Sequence, residues 1–82
     1  MMRLYFCHRK GEQKGLYIIA PDADKACRMY SRSIRAPFRS IAASVAPIDI
    51  DTDETAGIVY PGGIIAQVYG IEYTDAERGR GQ

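Results

Sequence analysis

Nowhere in its 82 residues does the sequence stay apolar for anything near the ~20 positions that a bilayer-spanning helix needs. The apolar patch of MMRLYFCHRK, residues 4 to 7, also falls short of a secretory leader. A cytoplasmic protein with no membrane partner is therefore expected. Histidine occurs once, at His8, so no two histidines can share a metal. The cysteines, Cys7 and Cys27, form no Cys-x-x-Cys pair and match no zinc spacing. Two buried free thiols are expected rather than a disulfide. Neighbours on a strand point to opposite faces, which argues against a nucleophile built from Cys7 and His8.

Chemistry-bearing motifs are equally scarce. Pro61-Gly62-Gly63 is followed by no lysine or hydroxyl residue, so it is a turn and not a phosphate-cradling loop. The acidic run Asp49, Asp51, Asp53 and Glu54 has the D-x-D-x-D spacing of a calcium loop. Glu54, however, stands where such a loop requires glycine, and Tyr60 where it requires a bidentate glutamate. The run has no accompanying nucleophile either. It reads first as a strand end running into a charged loop, and otherwise as a secondary patch that mimics nucleic-acid phosphates or complements a basic partner. No catalytic residue, metal or cofactor is expected, and the chain reads as a non-enzyme.

What is present is a domain-like composition. An apolar content of 46% and a charged content of 26% are ordinary for a folded soluble protein. Residues 1–73 are expected to form one small domain, and the glycine-rich polar stretch 74–82 a flexible tail. RLYFCHR (3–9) and LYIIA (16–20) are β-prone and flank the polar turn KGEQKG, which predicts a hairpin. The period then changes. Asp22 can cap a helix in which Ala23, Ala26, Cys27, Tyr30 and Ile34 share one face, before Pro37 stops it. The spacing predicts a helix over about 22–35.

From Phe38 the period returns to two, with a proline and a phase slip at Pro47 that suggest an edge strand or bulge. Residues 51–57 read as a loop. IVY and IIAQVYGIEY read as a second hairpin around the Pro61 turn, with the second arm the longest strand. The order β-β-α-β-β-β predicts an α+β fold: a mostly antiparallel sheet of four or five strands with one helix on one face. One helix cannot cover both faces. The other is expected to be polar or an interaction surface, for which Tyr5, Tyr17, Tyr69 and Tyr73 are candidates.

Charge is divided unevenly along the chain. Residues 1–40 carry nine Lys or Arg against three Asp or Glu, a net +6, and residues 41–82 carry two against seven, a net −5. Lys25, Arg28, Arg32 and Arg35 follow one another at i, i+3, i+7 and i+10, opposite the apolar face of the expected helix, and Arg39 extends them. The stripe reads as free of acidic i, i+4 partners, and arginine suits forked contacts with phosphate or carboxylate. A solvated helix face has the same pattern, so the stripe alone assigns no function. As a contact surface it comprises Lys25, Arg28, Arg32, Arg35 and Arg39, joined by Tyr69 and Tyr73 from the sheet. Single-strand binders combine such charge with aromatic platforms. The Gly-Phe-Gly-Phe core of an RRM is missing, however, and Arg78-Gly79-Arg80-Gly81 is too short for an RGG element.

Small size, opposed charge patches, lack of catalytic motifs and the strand-then-capped-helix stretch LYIIAPDADKACRMY together resemble small phage-encoded inhibitors of bacterial defence, of anti-CRISPR type. The resemblance implies a stoichiometric binder of a host protein or ribonucleoprotein complex that handles nucleic acid. No motif transfers residue by residue, so it assigns no positions. The alternatives are a nucleic-acid-binding accessory protein that uses the basic helix, and a self-associating subunit, a homodimer included.

Overall fold

A computed structural model describes residues 1–46, 50–53 and 55–73. The domain is α+β, as the periodicities predict. Strand β1 (Met2–Arg9) pairs antiparallel with β2 (Gly15–Ala20), and Tyr5 faces Ile18 across the hairpin. Helix α1 (Ala23–Ile34) follows, then a 3-10 turn, η1 (Phe38–Ser40), and strand β3 (Ile41–Val45). Two short strands, β4 (Asp51–Thr52) and β5 (Gly57–Val59), precede a second helix, α2 (Ile64–Tyr69). The sheet order is β3-β1-β2-β5, and β4 pairs with β1 beyond the end of β3.

Strands β3 and β4 thus follow one edge of β1 as two separate pieces. The edge position suggested by the phase slip is observed. Pro47, Ile48 and Asp49, where the slip falls, lie outside the described residues, as do Glu54 and the 74–82 stretch.

Helix α1 begins where its cap requires: the Asp22 carboxylate accepts a 2.8 Å hydrogen bond from the Lys25 N–H. It ends at Ile34, three residues before Pro37. Arg35 takes the left-handed conformation (φ 56°) and the Ala36 N–H reaches back to the Ser31 carbonyl at 3.1 Å. This is a Schellman closure, completed by burial of Ala36. Ala26, Cys27 and Tyr30 are buried as predicted, whereas Ile34, at the C-terminal end of the apolar face, is only half-buried.

Residues 64–73, expected as the longest strand, instead contain α2. Its inward residues Ile65, Ala66 and Tyr69 recur with helical spacing, while Ile64, Gln67 and Val68 point to solvent. Gly70 closes this helix as Arg35 closes α1, with φ 68° and the Ile71 N–H bonded to the Ala66 carbonyl at 2.8 Å. The 51–57 loop is also corrected in part, since β4 forms within it and β5 begins at Gly57.

These two corrections change the sheet's second face. Tyr5, Cys7, Ile18, Ala20 and Ile41 point toward α1 and pack with Ala26, Cys27, Tyr30 and Ala36. The alternate residues Leu4, Tyr17, Ile19 and Val59 form a second core with Ala66, Ile71 and Tyr73. The face expected to be open is covered by the chain's own α2 and the segment after it. β1 and β2 are consequently the strands apolar on both sides. Gly15 allows them to approach: a Cβ there would stand 1.9 Å from the Cys7 carbonyl oxygen.

Candidate partner-binding surface

The basic side chains lie on the outer face of α1 and on η1, where Lys25, Arg28, Arg32, Arg35 and Arg39 are all exposed. Helical periodicity, fixed by the buried Ala26, Cys27 and Tyr30, turns the first four away from the sheet. One expectation fails. The stripe has an acidic neighbour, because Asp24 Oδ2 accepts a 3.0 Å bond from Arg28 Nε across one helical turn. Both side chains are more than half exposed, so the pair contributes only ~0.3–0.5 kcal/mol to folding. It nevertheless orients the guanidinium and offsets one of the stripe's charges.

Phe38 joins the surface, a residue that charge patterning does not single out. The chain reverses at Pro37 and η1 returns Phe38 beneath Arg28, whose guanidinium carbon lies 4.8 Å from the ring centroid. The ring remains 41% exposed. Arg28, Ser31, Arg32 and Phe38 together line a shallow hollow of about 270 Å³. An arginine fixed over a partly open ring offers a flat π surface with positive charge at its rim. The only sequence-level hint was an aromatic residue between Pro37 and Arg39.

The hairpin widens the basic area. Arg9 and Lys14 line a second hollow of about 240 Å³ with Glu12, Tyr30 and Ile34, beside the C-terminal half of α1. Lys10 is tied to η1 by its backbone, donating 2.8 Å to the Ser40 carbonyl.

Tyr5, Tyr17, Tyr69 and Tyr73, the tyrosines expected at an interface, do not belong to this surface. Tyr73 is buried in the second core, where its hydroxyl accepts from the Tyr17 N–H at 2.6 Å and donates to the Val59 carbonyl at 2.5 Å. Tyr5 and Tyr17 are buried too, and Tyr69 is half-buried against the same core. In the acidic run, Asp53 is exposed and Asp51 lies in β4, but Asp49 and Glu54 are not among the described residues. No group of three or more metal-ligating side chains occurs among the described residues.

Both cysteines are free and buried, as expected. Burial in the α1 core pushes the Cys7 thiol up to about 12, with Cys27 adding to the effect. Cys27 is also raised, by burial and then by Asp24, while Lys10 opposes. Neither thiol is poised as a thiolate nucleophile. His8 is half-buried, donates from Nδ1 to the Arg9 carbonyl at 2.8 Å, and stacks on Phe6.

The chain matches no protein-family model, no curated protein and no solved structure. Among the described residues no helix is long and apolar enough to cross a membrane.

Proposed function

We propose that this is a non-enzymatic binding protein whose α1–η1 face docks on an anionic surface of a nucleic-acid-handling complex, in the manner of anti-CRISPR-type inhibitors. The observation that carries the reading is that Arg28 and Arg32 line one hollow with the half-open Phe38 ring, with Arg35 and Arg39 exposed nearby in sequence at the end of α1 and in η1. Arg35 adds a second argument. A helix C′ position in the left-handed region favours glycine, yet arginine occupies it here at a conformational cost. Backbone strain retained at an exposed cation is consistent with a side chain selected for contact.

A protein surface rich in carboxylates and a nucleic-acid backbone present the same charge to this face. Direct nucleic-acid binding is the second reading, and the exposed Phe38 ring favours it, because bases stack on such rings. The test is charge reversal at Arg28, Arg32 and Arg35 together. Thermal stability is expected to change little, since exposed charges contribute little to folding. Capture of DNA, RNA and candidate defence complexes, assayed side by side, is expected to be lost for the true partner. Salt separates the two readings. Three phosphate contacts on duplex DNA give a log–log slope near ~−2.7, whereas a protein interface responds less steeply. Unchanged binding by the folded triple variant reduces the stripe to a solvated helix face.

A further inference from the structure

We infer that the open edge of β3 is a docking site for a second copy of this chain, the two β3 strands pairing antiparallel about a two-fold axis near Ala43. The inference goes beyond the partner-binding reading, which uses the outer face of α1. It starts from the direction of the backbone groups. β1 and β3 are antiparallel with Cys7 facing Ala43. In the same register Lys10 N–H bonds the Ser40 carbonyl and Ala46 N–H bonds the Leu4 carbonyl. Antiparallel ladders alternate, so residues 40, 42, 44 and 46 turn their N–H and C=O groups toward β1. Those of Ile41, Ala43 and Val45 point outward. The Ile41 N–H is turned back to the Phe38 carbonyl. The Ala43 N–H and C=O have no intramolecular partner among the described residues.

Nothing in β3 blocks such pairing. Edge strands are usually protected by charge, proline, bulges or brevity. Ile41–Val45 reads IAASV, with neither charge nor proline in five residues. The opposite edge, β5, has three residues and leads into the Pro61 turn. Val45, 58% exposed, leaves apolar surface beside that open edge. A two-fold axis at Ala43 sets Ile41 of one copy opposite Val45 of the other, with the small Ala43 pair between them. Such an interface is isologous, as a closed dimer requires.

Charge makes a second copy the matching occupant. β3 begins where the chain changes sign, from +6 over residues 1–40 to −5 over 41–82. An antiparallel two-fold brings the segment before β3 in one copy alongside the segment after β3 in the other. The end carrying Arg39 then approaches the β4 end, where Asp51 and Asp53 are located. This happens twice per dimer.

The test uses the whole chain in sedimentation and light scattering at low ionic strength. The expected mass is twice 9.1 kDa at high protein concentration, shifting toward 9.1 kDa as salt rises. Val45→Lys places a charge on the edge, and Ala43→Pro removes an N–H that points away from β1; each is expected to yield a folded monomer. Amide exchange in the unmodified chain is the readout that needs no variant. The Ala43 N–H is expected to be protected at high concentration and to exchange rapidly on dilution. A wild-type chain of 9.1 kDa at every concentration overturns the inference, as do folded Val45→Lys and Ala43→Pro variants that remain dimeric. Equally fast Ala43 exchange at both concentrations overturns it too.

Discussion

Removing one oxygen atom, by Tyr73→Phe, gives the sharpest test of how this fold is closed. The Tyr73 hydroxyl joins the Tyr17 N–H to the Val59 carbonyl, and those two residues face each other across β2 and β5. Substitution by phenylalanine keeps the ring and its edge-on packing against Tyr17, but deprives two buried main-chain groups of that hydroxyl. Each such loss costs ~1–3 kcal/mol, so the variant is expected to be destabilised by ~2–4 kcal/mol. Total stability for 82 residues is on the order of 4–12 kcal/mol, so a large part of it disappears. The melting temperature is expected to fall by roughly 10–25 °C. Urea unfolding followed by circular dichroism measures this, with Tyr60→Phe as control because Tyr60 is 59% exposed. If both variants unfold within ~0.5 kcal/mol of the parent with equal m-values, the hydroxyl bridge contributes nothing to the closure of the fold.

Three further outcomes are expected. Gly15→Ala drives a methyl against the Cys7 carbonyl and should separate the hairpin, costing more than ~3 kcal/mol in the same urea assay or preventing folding. Arg35→Gly relieves the left-handed strain and should raise stability by ~0.5–1 kcal/mol while weakening capture of an anionic partner. If capture is unaffected, Arg35 is not a contact residue. The third concerns alkali. Cys7 ionises near 9.0 when unfolded but only at about 12 when folded, so its contribution is complete below pH 9 and is lost as pH rises toward 12. Tyr30, raised first by burial and then by Glu12 and Cys7 against an opposing Arg9, acts in the same direction. Melting temperature should therefore fall across that window, and less steeply for Cys7→Ala. A parallel decline in the two proteins excludes the thiol as the cause.

The parts of the fold that could be read directly from residues are those with local causes. Asp22, the Ala26-Cys27-Tyr30 face and the glycine-bounded turn after β1 specify α1 and the first hairpin by themselves. Helix α2 was not legible, because Ile64, Ile65, Val68 and Tyr69 all favour strands. What makes them helical is non-local: Ile65, Ala66 and Tyr69 pack on a sheet face assembled from β1, β2 and β5. The nearby signal was Gly70, which belongs after a helix more readily than inside a strand. The same error put Tyr73 on an open surface, although it seals a core. On the basic face of α1 the four helical cations were legible from spacing. The Asp24–Arg28 pair stood at i, i+4 and could have been read in the same way. Phe38 could not, since its position under Arg28 depends on the chain reversal at Pro37.

The second core also sets an order of events during synthesis. Leu4, Tyr17 and Ile19 leave the ribosome early, yet the residues that cover them, Ala66, Ile71 and Tyr73, are the last of the described chain to emerge. The bond between the Tyr17 N–H and the Tyr73 hydroxyl spans 56 positions. Until Tyr73 has cleared the exit tunnel, the hairpin and α1 can close one side of the sheet only, and an apolar strand face stays open to water and to other nascent chains. A stall or cleavage shortly before Ile71 releases a half-closed sheet rather than a shortened native domain.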